Sequence, residues 1–228
     1  MAYILITANR NYSSWSLRPW VLMKGLGIDF ADRIEPFTKP VNYDDFRSFS
    51  PTGQVPALID GGRTIWDSLG ITLYLADRHE GVWPADPDAR AWAQCAAAEM
   101  HAGFSALRNA CTMNVGVRVK PNDPDPALAK DVARIAELWA EGISRFGGPY
   151  LAGAQFSAVD AFFAPVAYRV RTYGLDVGEA GQVWVQHMLA HPAMQQWEAE
   201  ALAEDWREES HEEELAAAGK IIADYRGT

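Results

Sequence analysis

Ser13, Ser14, Ser16 and Arg18 lie close together near the start of the chain, in Asn11-Tyr12-Ser13-Ser14-Trp15-Ser16-Leu17-Arg18-Pro19-Trp20. Serines just ahead of an apolar-periodic run (Trp20, Val21, Leu22, Met23) are a helix-start signature. A helix start carries backbone N–H groups without partners and partial positive charge, so it favours an anion. A thiolate is an anion that needs such help. The helix dipole contributes roughly 0.3–1 kcal/mol, up to ~2 in buried geometry. One pKa unit is ~1.4 kcal/mol. The dipole alone therefore moves a thiol near ~8.5 by about one unit, and a serine hydroxyl donating to the sulfur must add the rest. Arg18 stays charged and reads as an anchor rather than a proton donor. A second anion-favouring helix start is Asp67-Ser68, ahead of Leu69, Ile71, Leu73, Tyr74 and Leu75.

These residues need elements to hold them. Tyr3-Ile4-Leu5-Ile6 is an apolar run of the kind found in a strand buried on both faces. The helix from the serines ends at Gly25 and Gly27. Ser16 as its cap puts Pro19 in the first turn, and Ser14 is the alternative cap. Gly27–Ile34 is a second strand candidate, and Asn42–Phe49 a short helix carrying Tyr43, Phe46 and Phe49. Val55–Ile59 and Thr64–Trp66 read as a hairpin around Asp60-Gly61-Gly62, because these residues supply the positive φ of tight turns. Pro56 at the first strand's start is tolerated there, and its peptide bond is a candidate for the cis form. The order β-α-β-α-β-β-α fits a thioredoxin-like α/β domain over 1–79, where serines occupy the turn that would otherwise hold a CxxC pair.

The arrangement resembles the soluble glutathione transferases. In that family the residue before a cis-proline pairs its backbone with the cysteinyl part of glutathione, and an acid-Ser pair takes the γ-glutamyl end. The resemblance puts those roles on Val55, before Pro56, and on Asp67 and Ser68, with Asp67 one methylene shorter than the usual glutamate. Lys39 and Gln54 are then candidates for the glycyl carboxylate. The serine phrase is similar to that of the zeta class, Ser-Ser-Cys-Ser-x-Arg: Ser13, Ser14, Ser16 and Arg18 match, while Trp15 replaces the cysteine and joins the glutathione-site candidates. Ser14 ranks first as the activating serine and Ser13, favoured by the zeta motif, second. The resemblance further implies a homodimer.

Glu80–Pro87 is a linker broken by Gly81, Pro84 and Pro87. The remainder, 88–228, reads as all-helical. A long helix runs from Ala89 to about Ala110, and by resemblance Met100, His101, Phe104 and Arg108 on it line the acceptor-substrate pocket, with Arg108 suited to a carboxylate. Lys120–Pro126 is a proline-rich loop. Ala127–Phe146 is amphipathic, with Leu128, Val132, Ile135, Leu138, Trp139 and Ile143 at helical spacing. Leu151-Ala152-Gly153 and Phe156-Ser157-Ala158-Val159-Asp160 resemble the family's folding motif, and Ser157 with Asp160 makes a capping box. Helices follow over Ala161–Tyr173, Val183–Leu189 and Pro192–Leu202. Glu204–Glu214 reads as a solvated acidic run, and Leu215–Tyr225 as a last helix that could fold over the acceptor pocket.

The net charge of −10 argues against nucleic acid or an anionic membrane surface as partner. Two cysteines, Cys95 and Cys111, fit a reduced cytoplasm, and no His/Cys cluster suggests a metal. The apolar run near Ala2 is too short for a signal peptide, and no stretch is long enough for a membrane span. The expectation is a serine-type glutathione transferase that conjugates glutathione to small electrophiles, as in detoxification. A glutathione-dependent isomerase of the zeta type and a non-catalytic glutathione-binding scaffold are the alternatives.

Overall fold

The computed structural model describes residues 3–37, 43–123 and 126–227. It opens with β1 (Tyr3–Thr7), α1 (Ser14–Gly25) and β2 (Phe30–Ile34), a right-handed start in which β2 lies parallel to β1 with Tyr3 opposite Phe30. Helix α2 (Tyr43–Arg47) leads to the antiparallel pair β3 (Ala57–Asp60) and β4 (Arg63–Trp66), then to α3 (Ser68–Ala76). The hairpin turns at Gly61, whose φ of 59° suits glycine. β3 runs antiparallel to β1, with Leu58 opposite Leu5, so the sheet order is β2-β1-β3-β4. This is the thioredoxin-like layout the sequence implies.

Two local expectations change. The cap of α1 is Ser13, whose carbonyl accepts from the Leu17 N–H at 3.1 Å, rather than Ser16 or Ser14. Pro19 therefore lies beyond the first turn. The second strand begins only at Phe30, because Gly27 (φ 66°) turns the chain and the Ile28 N–H returns to the Met23 carbonyl at 2.9 Å.

Helix α4 (Pro87–Ala102) starts at Asp86, whose side chain accepts from the Ala89 N–H at 2.8 Å. The helix expected to continue to Ala110 stops at Gly103, and α5 (Ser105–Ala110) starts anew after Phe104, held at φ 59°. The guanidinium of Arg108 closes the break by donating to the carbonyls of Met100, His101 and Gly103. Then come β5 (Val117–Pro121), α6 (Pro126–Phe146), α7 (Ala158–Tyr173), α8 (Gly178–Leu189), α9 (Pro192–Ala203), α10 (Glu209–Ala218) and β6 (Gly219–Asp224).

The end of this region departs most from expectation. Residues 219–224 form a strand rather than a helix, and β6 pairs antiparallel with β5, Val117 opposite Asp224 and Pro121 opposite Gly219. A Cβ at Gly219 would come within 2.3 Å of the Lys120 carbonyl oxygen, so only glycine allows that approach. Lys120 and Pro121, expected in a loop, belong to β5. Nor is the acidic run a solvated tail. Glu204 and Glu208 are buried, and Glu212 accepts from the Tyr12 hydroxyl at 2.7 Å and pairs with Arg226.

Helix α7 is the axis of the helical region, buried along nearly its whole length and packed against both α1 and α4. Phe162 and Phe163 are fully buried, and Trp139 and Trp184 meet beside it with ring centroids 4.3 Å apart. Asp160 anchors its first turn, accepting from the Ser157 N–H (3.1 Å), the Leu151 N–H (2.9 Å) and the Trp184 indole (3.0 Å). Among the described residues no helix is long and apolar enough to cross a membrane.

The sheet is tied to the helical region by Arg10. Its buried guanidinium pairs with Asp32 on β2 and with Glu200 on α9 at 3.0 Å, and lies over the Trp197 ring at 4.3 Å. Replacing Arg10 with methionine leaves both carboxylates without their cation. The expected loss is near the low end of ~3–5 kcal/mol, since Asp32 and Glu200 keep some water, and urea unfolding would measure it. Asp160→Ala removes a cap worth ~0.5–2 kcal/mol. It also strands the buried Leu151 N–H and Trp184 indole at ~1–3 kcal/mol each. We expect the larger loss of the two variants there, read in the same titration.

Candidate functional site

A cleft of about 820 Å³ opens between the sheet and the helical region. One bank comes from the start of α1 (Ser13, Ser14, Trp15), the loop before β3 (Thr52 to Pro56) and the start of α3 (Trp66, Asp67, Ser68). The other comes from Arg108, Thr112, Met113 and Arg169, with His211 and Glu214 of α10. The size suits a ligand larger than a single amino acid.

The two serines differ in their engagements. The Ser13 hydroxyl donates to Ser16 Oγ at 2.7 Å, and Ser16 Oγ in turn accepts from the Ala8 N–H at 3.3 Å. Ser14 is the first residue of α1 and, like Ser13, lines the cleft; its backbone N–H reaches the Tyr12 carbonyl at 2.8 Å. Ser13 and Ser16 thus brace the loop between β1 and α1, while among the described residues the Ser14 hydroxyl has no hydrogen-bond partner.

The Val55–Pro56 peptide bond is cis, and both residues line the cleft. Gln54 lies beside them. Lys39 lies outside the described residues. Asp67 caps α3 through Oδ1, which accepts from the Leu69 N–H at 2.7 Å. Its φ is 67° and its ψ 141°, a backbone state that costs a non-glycine residue roughly 1–3 kcal/mol. The β4 pairing on one side and the fully buried Ser68 on the other hold it there.

Arg108 and Arg169 line the cleft, and Arg18 lies against Trp15 of its lining. Arg18 is buried; its Nη1 approaches Ser68 Oγ at 3.5 Å, its Nε has no partner, and its guanidinium lies 4.2 Å from the Trp15 ring centroid. Arg108 lies on the same ring's surroundings at 4.8 Å. Arg169, on α7, is buried and donates from Nε to the Cys111 carbonyl at 2.8 Å. Burial pushes all three below the usual arginine range, Arg169 to about 10, and mutual repulsion adds to it: Arg108 and Arg169 lower Arg18, and Arg108 lowers Arg169. Among the described residues none of the three forms an ion pair with a carboxylate. The acidic protein is therefore locally positive here.

The proposed acceptor residues divide. Arg108 lines the cleft. His101 packs edge-on to Trp15 with Nε2 3.7 Å from Asp67, and burial lowers its pKa. Met100 and Phe104 are buried in the core, and neither they nor His101 line the cleft. Residues not anticipated are Tyr12, Phe37, Trp66, Arg169 and His211. His211 stacks on Tyr12 (4.9 Å) and on Phe37 (5.4 Å), which brings α10 over the cleft. Arg169 carried a readable signal, being a cation within the otherwise buried run of α7. Cys111, close by, has its thiol pushed up to about 11 by burial and is not a nucleophile.

Comparison with known proteins follows the same division. Residues 12–78 match the model of the glutathione S-transferase N-terminal domain, and residues 90–209 that of the C-terminal domain. A zeta-class glutathione S-transferase of Euphorbia esula is 26% identical over 163 residues, 68% of this chain and 70% of its own length. The maleylacetoacetate isomerase of Rattus norvegicus is 24% identical over 182 residues, 76% of this chain and 81% of its own. Among solved structures, a theta-class glutathione S-transferase from Xanthomonas axonopodis pv. citri with glutathione bound superposes with a TM-score of 0.63 at 23% identity, covering 86% of this chain and 96% of that one. A glutathione transferase homolog from Burkholderia, also with bound glutathione, gives 0.66 at 21% identity over 88% and 98% of the two chains. Since the two domain models together take in most of its length, the chain belongs to the glutathione S-transferase family.

Proposed function

We propose that the protein is a serine-type glutathione transferase that activates the glutathione thiol for attack on a small electrophile. The observation that carries this reading is Ser14, which stands at the first position of α1 and in the cleft's lining. The division falls after residue 79, with Glu80 to Pro87 as the linker and residues 88–228 as the acceptor half.

Glutathione lies along the first bank. Its γ-glutamyl end meets Asp67 and Ser68, its cysteinyl part the backbone of Val55, and its glycyl carboxylate Gln54, with Lys39 as a second candidate. Ser14 then donates to the sulfur, and the start of α1 adds its partial positive charge. With an aryl chloride as probe, the sulfur forms the new C–S bond, chloride leaves with the electrons of the C–Cl bond, and the thiol proton passes to solvent. Ser13, already donating to Ser16, serves the loop. Trp15 forms the wall beside the sulfur.

The isomerase reading has a specific support in the similarity to the maleylacetoacetate isomerase. Against it stands Trp15, where the zeta motif has cysteine. Incubation with maleylacetone and glutathione separates the two readings: a product isomer without a stable conjugate favours isomerisation. Glutathione affinity without turnover across an electrophile panel would instead favour the scaffold reading. The protein acts in the cytoplasm as a homodimer, and Trp66 and Leu73, large and exposed, are apolar surface that a second copy can cover. Sedimentation of the full chain tests the dimer.

Two substitutions test the site. Ser14→Ala should lower kcat/KM with 1-chloro-2,4-dinitrobenzene by on the order of 10²-fold, the loss seen when one preorganised donor to a developing charge is removed. The pKa of enzyme-bound glutathione, read from thiolate absorbance, should rise with it. Ser13→Ala should change the rate less. For Asp67→Gly the relief of roughly 1–3 kcal/mol of backbone cost exceeds the few tenths of a kcal/mol that a cap loses on replacement by glycine, so stability should not fall. Glutathione affinity should fall at least about tenfold, since a hydrogen bond to a charged group contributes ~1.5–3 kcal/mol. Calorimetry beside thermal unfolding would show whether the two effects separate.

A further inference from the structure

Helix α10 brings a carboxylate–imidazole pair to the cleft. His211 lines it, and its ring lies within 21° of parallel to Tyr12 and 18° of parallel to Phe37, which line it too. Nδ1 meets Glu208 Oε2 at 2.5 Å, while among the described residues Nε2 has no hydrogen-bond partner. The His211 side chain is 29% exposed and that of Glu208 only 4%. Glu208 already caps α10 through the His211 N–H at 2.9 Å, and the ring contact comes in addition to that cap. Burial alone would raise the Glu208 carboxyl, but hydrogen bonds from the Ser210 hydroxyl and from the His211 backbone and ring outweigh it and hold it down at about 2. An ionised carboxylate only accepts, so Nδ1 carries the hydrogen and the neutral ring presents the Nε2 lone pair. A buried acid in this position orients an imidazole and stabilises it once it has gained a proton. The other acids nearby on α10 are Glu214, in the cleft's lining, and Glu212, which is committed to the Tyr12 hydroxyl and to Arg226.

We infer that His211, with Glu208 behind it, is a second catalytic residue, which gives a proton to the electrophile as the glutathione sulfur adds to it. This rests on the reading that glutathione lies along the first bank with its sulfur at Ser14. The pair is useful only to an acceptor that must gain a proton, such as a conjugated ketone. There the sulfur forms a bond to the β-carbon, the C=C electron pair shifts to leave an enolate, and the enolate takes the Nε2 proton of the imidazolium. The thiol proton passes to solvent and His211 regains one from solvent, so the net reaction adds the thiol across the double bond. An aryl chloride makes no such demand, because chloride departs as the anion. Glu208 is a positioning residue here, acting through the ring.

The test compares kcat/KM of the full chain for trans-4-phenylbut-3-en-2-one with that for 1-chloro-2,4-dinitrobenzene. In His211→Phe, which keeps a ring beside Tyr12 and Phe37, the ratio of ketone to chloride should fall on the order of 10²-fold, the low end of what a positioned general acid contributes. Glu208→Gln retains an acceptor for the helix cap and should lower kcat for the ketone while KM holds. This second variant decides the matter if His211→Phe does not fold. In His211→Ala, added imidazole should recover part of the ketone rate and leave the chloride rate where it was. A ratio unchanged in both His211→Phe and Glu208→Gln overturns the inference, and so does a loss equal for the two probes. Imidazole that restores both rates alike, or neither, overturns it as well. An unaltered chain that turns over the chloride but not the ketone overturns the inference and leaves the transferase reading standing. If it turns over neither, both fall.

Discussion

A single buried guanidinium fixes where this protein can do chemistry. Arg10 sits in the loop between β1 and α1, and its charge is divided between Asp32 of the sheet and Glu200 of α9. The loop around it is buried from Ala8 to Ser13, which is unusual for a connection between elements. Its burial is supported by partners for most of its side-chain polar groups, the Asn9 side-chain nitrogen excepted. Asn9 accepts from the Phe37 N–H, Asn11 reaches the Ala201 carbonyl and accepts from the Gly116 N–H, and Glu204 accepts from the Arg10 and Asn11 N–H groups. Ser13 and Ser14 follow directly. The position of the cleft hydroxyl is thus set by contacts that reach both halves of the chain.

The same distribution of charge explains how an acidic protein carries a locally positive cleft. Net charge describes the surface, and the cleft is governed by groups within a few ångströms. Carboxylates at the surface pair with Arg33, Arg134 and Arg145, none of which lines the cleft. Inside, the arginines of α1, α5 and α7 converge with carbonyl oxygens and an indole ring as their partners. Carbonyls orient a guanidinium without cancelling its charge, so the field at the cleft stays positive.

Features governed by local physics were legible in the sequence. The Asp-Gly-Gly hairpin, the glycine ends of helices, the Ser157–Asp160 box and the amphipathic α6 each follow from neighbouring residues. Features governed by distant contacts were not. The α4–α5 break depends on Arg108 reaching back to three carbonyls and leaves Phe104, not a glycine, in a left-handed state. Strand β6 pairs with β5 about a hundred positions earlier, and nothing in Gly219–Asp224 by itself prefers strand over helix strongly enough to reveal that. The acidic run from Glu204 looks solvated until Tyr12, Arg226 and the Arg10 loop supply its partners. In the site, the helix-start serines and the acid-Ser pair could be read as motifs. Met100 and Phe104 could not be separated from the core by spacing alone, since both a cleft wall and a packed face repeat once per turn.

The pairing of β6 with β5, and of His211 with Tyr12 and Phe37, has a consequence in time as well as in space. Translation proceeds from the amino end, and N-terminal parts fold first as a chain emerges from the ribosome. The serine-bearing helix, the hairpin and α3 are made long before residues 209–224. The loop that places Ser14 still waits for Glu200, Ala201 and Glu204 to be made. His211 and Glu214 join the cleft's lining only when α10 is made, so that wall is completed late in synthesis.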